Sequence, residues 1–208
     1  MQAFYIKNTK TDTTMTKQST NSINWVQRIR QDWTSYFRDV QPEDFPYALL
    51  ATAINRSILN GSSIIKVSLG NDGFITVKDN SKVFATRFEN LLTIRGDDNA
   101  AGHPRTVRRI LDGQWYPAYP LINALSKETE IRFVWGKNQA NAKCSRGEII
   151  WQESHADPHS RKGLTIRFLP DSDIQNVTIS AQCVEEILWG CAVRFSTVSF
   201  YLNGRIIG

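Results

Sequence analysis

Asp79 closes a stretch in which the apolar runs Ile64 to Leu69 and Phe74 to Val77 alternate with polar residues around Gly70-Asn71-Asp72-Gly73. Alternation about such a turn predicts a β-hairpin. A carboxylate at the end of its second strand, facing a helix-like segment, has two readings. It can accept a hydrogen bond from a ligand, or it can satisfy backbone N–H groups of its own turn, as aspartate commonly does. Other residue types with chemical potential are more scattered. Cys144 with His103 or His155 would make a nucleophile and base, but no spacing supports the pair. His155-Ala156-Asp157-Pro158-His159 holds three possible ligands, yet Pro158 prevents a helical i,i+4 pair and no cysteine is near. No metal site is expected. Arg105, Arg108 and Arg109, with Lys137 and Lys143, form either a basic face for phosphates or an ordinary solvated surface. Asn176-Val177-Thr178 matches a glycosylation acceptor, which has meaning only in a secreted chain.

The elements that must position these residues follow from periodicity. Val26, Ile29, Trp33, Tyr36 and Phe37 recur at helical spacing, which predicts an amphipathic helix over 23–37. Pro42-Glu43-Asp44 is an acidic helix start. Phe45, Leu49, Leu50, Ile54 and Ile58 predict a second helix, closed by Asn60-Gly61. After the hairpin, 83–94 reads as a helix with Phe84, Phe88, Leu91 and Leu92 inward. Residues 95–118 are irregular, and 121–126 is a short helix. Strands are expected at 128–135 and 143–152, with a polar loop at 153–162, then a strand at 163–170. A helix over 180–195 and a last strand over 197–202, ending at Asn203-Gly204, complete the chain. Early helices, hairpin-linked strands and a late helix predict an α+β two-layer sandwich. Residues 1–21, polar and rich in Thr, Lys, Asn and Ser, are expected to be a flexible N-terminal arm, with one domain over 22–208.

Four of these stretches stand in a recognisable order. They are Tyr47 to Val67, the hairpin ending in Val77-Lys78-Asp79, Leu121-Ile122-Asn123-Ala124-Leu125-Ser126, and Gly163-Leu164-Thr165-Ile166-Arg167-Phe168-Leu169-Pro170-Asp171. Together they resemble the N-terminal ATPase domain of the DNA gyrase B subunit. That domain is of the GHKL group, named for gyrase, a heat-shock chaperone class, histidine kinases and MutL. The hairpin end resembles the strand running into the family's Asp-x-Gly-x-Gly motif. The third stretch resembles Val-Val-Asn-Ala-Leu-Ser, and the fourth Gly-Thr-x-Val-x-Phe-x-Pro-Asp. The resemblance implies the Bergerat fold, a mixed sheet with helices on one face and nucleotide held between them.

The resemblance also implies losses. The family's general base, a Glu on the first core helix, falls on Ala48, which has no titratable group. The magnesium-holding Asn one turn later falls on Thr52, and the Asp before it on Ala51; magnesium prefers hard oxygen ligands in fuller sets. Asn55 could serve only if the helix slips by three residues. Asp79 matches the adenine-reading carboxylate, but Ser81 and Val83 replace the glycines that follow it. The glycine-rich lid becomes Gly113-Gln114-Trp115-Tyr116-Pro117-Ala118. Phosphates need free backbone N–H groups, and Pro117 and Pro120 remove donors. Trp115, Tyr116 and Tyr119 read as a lid plug or a contact patch. The adenine-side Thr falls on Leu164; Thr165 could replace it only by a one-residue slip that turns it to the other face.

The expected function is therefore a catalytically inactive GHKL domain, a pseudo-ATPase used as a protein-binding, assembly or regulatory module, with no cofactor. The alternative is a regulator that binds ATP without hydrolysis through Asp79 and Thr165. A third reading keeps activity through Glu43 or Asp44. Gyrase continues into a second domain with a phosphate-contacting lysine and then a DNA-cleavage region; neither is matched here, so strand passage is not expected. A protein partner or self-association is expected, possibly through residues 1–21, with Trp25, Trp33 and Trp189 as candidate contacts.

Composition sets the outer bounds. The chain has 208 residues, 25 Lys plus Arg and 20 Asp plus Glu, a net charge of +5 that permits contact with nucleic acid or acidic partners. Its three cysteines, Cys144, Cys183 and Cys191, make no disulfide framework and fit a reducing compartment. No apolar run nears the ~18 residues of a membrane span. A cytoplasmic or organelle-stroma location is expected, and the Asn-Ala-Leu-Ser and Leu-Pro-Asp stretches look cyanobacterial or plastid-like.

Overall fold

The computed structural model describes residues 20–37, 40–81 and 118–208, with side chains from residue 25 onward. The predicted helix over 83–94, the lid residues Trp115 and Tyr116, the basic residues Arg105, Arg108 and Arg109, and most of the 1–21 arm lie outside the described residues.

Helix α1 spans Thr20–Gln31 and passes into a 3-10 turn at Trp33–Tyr36, so the predicted 23–37 helix tightens in its last turn. Helix α2 spans Phe45–Leu59 after a 3-10 turn at Pro42–Asp44. Pro46 sits in its first turn, where a missing N–H costs nothing. Its end is a Schellman motif: Gly61 N donates to Ile58 O and Ser62 N to Ser57 O, with Gly61 at φ 75. Strands β1 (Ile64–Leu69) and β2 (Ile75–Asp79) form the expected hairpin. Gly73, at φ 81, donates to Gly70 O and supplies the left-handed residue that this short loop needs.

Helix α3 covers Ala118–Leu125, and β3 (Ser126–Trp135) follows directly. The sequence reading of one strand over 143–152 is corrected here. Strand β4 is Asn138–Ser145 and β5 is Glu148–Ala156, with a tight turn through Arg146 (φ 48) and Gly147 (φ 92) between them. Part of the predicted 153–162 loop is thus strand. Strand β5 is exposed along nearly its whole length, so it carries no apolar alternation to betray it. Then come β6 (Gly163–Pro170), α4 (Ala181–Arg194), β7 (Ser199–Leu202) and β8 (Arg205–Ile207). The Asn203-Gly204 turn, both residues at positive φ, joins β7 to a further strand that the sequence reading left out.

The eight strands form one mixed sheet in the order β5-β4-β3-β6-β2-β1-β7-β8. Only β1 and β7 pair in parallel among these strands. The class is α+β. Ile65, Val67, Ile75, Val77, Ile131, Phe133, Leu164, Ile166, Phe168 and Phe200 point to one face, where they share a single core with residues of all four helices. Fully burying each of the three phenylalanines stabilises by about 2 kcal/mol. The other face carries Lys66, Lys78, Glu130, Arg132 and Lys143, which are half-buried or exposed.

One buried carboxylate ties the layers together. Asp171, just past β6, accepts from Arg30 of α1 and from Arg146 of the β4–β5 turn, at 2.7 Å each. Its backbone N–H donates to Leu125 O of α3. Arg30 also donates to Ala124 O. The helix that carries Tyr119 is therefore fixed to both α1 and the sheet.

Candidate functional site

Strand alternation places Asp79 on the helix side with Ile75 and Val77, and it is 5 % exposed. Its Oδ1 accepts two backbone hydrogen bonds, from Ser81 N at 2.9 Å and from Leu164 N at 3.1 Å. The first is the turn role foreseen for an aspartate; the second joins β2 to β6. Gly163 makes the second possible. A Cβ there would lie 2.0 Å from Asp79 O, so only glycine admits the approach. Next to it, Asn80 accepts from Ser63 N and Ile64 N, which pins the α2–β1 loop to the strand end.

Asp79 Oδ2 is different. It is buried and has no hydrogen-bond partner among the described residues. Other buried polar atoms share this state, among them Ser81 Oγ in the following turn and Tyr119 Oη on α3. Burial pushes the Tyr119 hydroxyl far above the ordinary tyrosine value, Asp79 pushes in the same direction, and Arg56 of α2 opposes both. Leaving a buried polar group unpaired costs about 1–3 kcal/mol. The arrangement offers an acceptor and two hydroxyls at the interface of the sheet with the helices.

The helix above this point offers no base. Helix α2, Phe-Pro-Tyr-Ala-Leu-Leu-Ala-Thr-Ala-Ile-Asn-Arg-Ser-Ile-Leu, contains no acidic residue. Ala48 is buried. Thr52 Oγ1 donates to Ala48 O at 2.8 Å, so its hydroxyl proton is spent within the helix. Glu43 and Asp44, the rival carboxylates, are exposed in the preceding 3-10 turn. Tyr47 Oη accepts from Ser180 N and so links α2 to the start of α4. Its hydroxyl is pushed up by burial, and the Ser180 bond partly offsets this.

Thr165 is not brought to Asp79. It pairs with Lys78 and Arg132 on the opposite face of the sheet, while Leu164 occupies the helix face. Tyr119 is 3 % exposed, packed in the core and not available as an outer contact. Trp25 and Trp33 are buried as well, whereas Trp189 is half exposed. The Cys144–His155 pairing fails on geometry: Cys144 is buried on the helix side, and His155 lies across from Gln139 on the exposed strand β5; His103 lies outside the described residues. Burial alone pushes the Cys144 thiol up to about 12, the reverse of an activated nucleophile. Asp157 accepts from His159 N, Ser160 N and Ser160 Oγ, which shape a tight loop and leave it no ligand geometry to share with the histidines. Those bonds hold its carboxyl below the usual range, the Ser160 hydroxyl first. No cluster of three potential metal-ligating side chains occurs among the described residues, and no described helix is long and apolar enough to cross a membrane.

Sequence reasoning missed the Gly163 approach, the Tyr119 hydroxyl beside Asp79, and the Asp171 hub. A glycine opening a strand was the available signal for the first. No family model matches the chain, and no curated protein matches it.

Proposed function

We propose that the chain is a GHKL-type domain without a catalytic apparatus, working as a protein-binding or assembly module. The observation that carries this reading is α2, which faces Asp79 without one acidic side chain and with the Thr52 hydroxyl turned onto its own backbone. Hydrolysis of a phosphoanhydride requires a base within hydrogen-bond reach of water, and neither Ala48 nor Thr52 supplies one. The mixed sheet with helices on one face supports the same reading. A second reading, a regulator that binds ATP or a related nucleotide without cutting it, is favoured by one observation: Asp79 Oδ2, Ser81 Oγ and Tyr119 Oη are buried without partners.

Calorimetric titration of the full chain with ATP and Mg²⁺ separates the two. No heat at millimolar nucleotide supports the module. Heat without phosphate release supports the nucleotide-binding regulator, and phosphate release overturns both. Ala48→Glu is expected to show no turnover. Affinity capture with the full chain and with a chain lacking residues 1–21 then tests whether the arm carries the partner contact.

A further inference from the structure

The face of the sheet away from the helices is laid out in cross-strand rungs. One rung reads Ser68, Thr76, Arg167, Glu130, Lys143, Trp151. It is neutralised from within: Glu130 lies 3.2 Å from Lys143 and 3.5 Å from Arg167, and Asp72 lies 2.7 Å from Arg167. The adjacent rung reads Tyr201, Lys66, Lys78, Thr165, Arg132, Asn141. It holds three cations, and no described carboxylate pairs with any of them. At its end Glu153, across from Asn141, accepts from Asn141 Nδ2.

Lys66 and Lys78 stand directly opposite one another on antiparallel strands. Like charges in that position destabilise a sheet, so this rung keeps its charge at a cost the next rung avoids. A groove of about 430 Å³ lies along it, and the 157–163 loop adds the exposed Arg161 and Lys162 to its wall. The loop is held in shape. Asp157 caps it, and Arg132 donates to Ser160 Oγ and to Gln139 Oε1. At the other end the Lys66 ammonium sits 5.3 Å from the centre of the half-buried Tyr201 ring.

We propose that this rung binds single-stranded nucleic acid across the strands of the sheet. Its unpaired cations match a line of phosphates, and phosphate contact supplies most of such binding. Tyr201 offers a ring for a base to stack on, as aromatic side chains do in single-strand binders. Neighbouring strands lie about 4.8 Å apart, wider than the ~3.4 Å rise of a stacked strand. That spacing suits an extended strand with its bases splayed. Among the described residues, the four helices pack on the other face, so none of them stands here to enter a duplex groove. Asp79 lines one end of the groove at its strand end, but its side chain turns to the helix face with Ile75 and Val77, and this site does not rest on the function proposed above.

The test is fluorescence anisotropy of the full chain with labelled twelve-nucleotide oligo-dT and oligo-U, and with a duplex of equal length, over a salt series. Binding of the single strands, weakening as salt rises, is expected. Lys66→Glu is the decisive variant. It places a carboxylate opposite Lys78, so its Tm is expected to hold or rise while its affinity falls at least tenfold. Tyr201→Ala is expected to lose about fivefold or more, since stacking contributes roughly 1–3 kcal/mol per base. Lys143→Ala, in the neutralised rung, is expected to stay within twofold. Unchanged affinity in folded Lys66→Glu overturns the proposal. So does equal or tighter binding of the duplex, or equal competition by polyglutamate, which would make the face a docking site for acidic protein.

Discussion

Gly163 lies so close to the Asp79 carbonyl that a Cβ on the glycine would sit 2.0 Å from that oxygen. This contact sets how β6 meets β2 and brings Leu164 N to the Asp79 side chain. Gly163 also holds φ 143. Gly163→Ala therefore combines a backbone clash with a conformation that costs a side-chain-bearing residue on the order of 1–3 kcal/mol. A loss of at least 2 kcal/mol in urea unfolding is expected. An unchanged midpoint would show that the strands separate freely there.

Asp79 itself divides its two oxygens between different duties, and two substitutions tell them apart. Asp79→Ala orphans the N–H groups of Ser81 and Leu164 and is expected to cost about 1–3 kcal/mol. Asp79→Asn retains one acceptor oxygen for both, and replaces the unpartnered Oδ2. It is expected to stay within about 1 kcal/mol of the parent. If Asn proves as damaging as Ala, the second oxygen has a partner of its own, and the nucleotide reading loses the observation that favours it.

Acid sensitivity should be concentrated at Asp171. Burial pushes its carboxyl up, but the hydrogen bonds from Arg146 and Arg30 and from Asp173 N outweigh this and hold it at about 2. Its unfolded value is about 3.9. A depressed carboxyl contributes stability that is complete above the unfolded value and disappears as pH falls through the folded one. The contribution is about 2–3 kcal/mol, lost between about pH 4 and pH 2. Denaturation midpoints measured across that window should flatten in Asp171→Asn, even though that variant is less stable at neutral pH.

The thiols should react in a fixed order. Cys183 is exposed and Cys144 is buried. With its pKa pushed up to about 12, Cys144 holds a thiolate population about a thousandfold below that of an ordinary thiol. Timed alkylation with peptide mapping is expected to label Cys183 first and Cys144 only as the chain unfolds. Early labelling of Cys144 would mean that β4 opens locally.

Several elements were legible because one face of each is buried. The α2 apolar spacing and its Asn60-Gly61 stop, the β1–β2 hairpin and the 163–170 strand all carried their period in plain sight. Strand β5 did not, because an edge strand exposed on both faces has no apolar alternation to display. The Arg146-Gly147 turn was missed for a related reason: its first residue is not the Asn or Asp that normally marks a two-residue hairpin. At the candidate site, Asp79 was readable as a strand-end carboxylate, while its neighbours were not. Tyr119 feels it electrostatically from α3, and Leu164 N reaches it from β6, 85 positions along the chain. Such meetings are fixed by strand order, which local spacing does not encode. The charged rung is hidden in the same way, since its residues come from six strands.

The parallel pairing of β1 with β7 governs how the molecule can assemble. The β1–β2 hairpin can form locally, yet its neighbours on both sides, β6 and β7, come from much later in the chain. Leu69 N even donates to Asn203 Oδ1 across 134 positions. Loop closure on that scale must precede the contacts that reward it, which makes folding slow. During synthesis the hairpin would wait with both edges unpaired until residues 163–202 emerge. That interval is when the nascent chain is most open to a chaperone or to wrong strand partners.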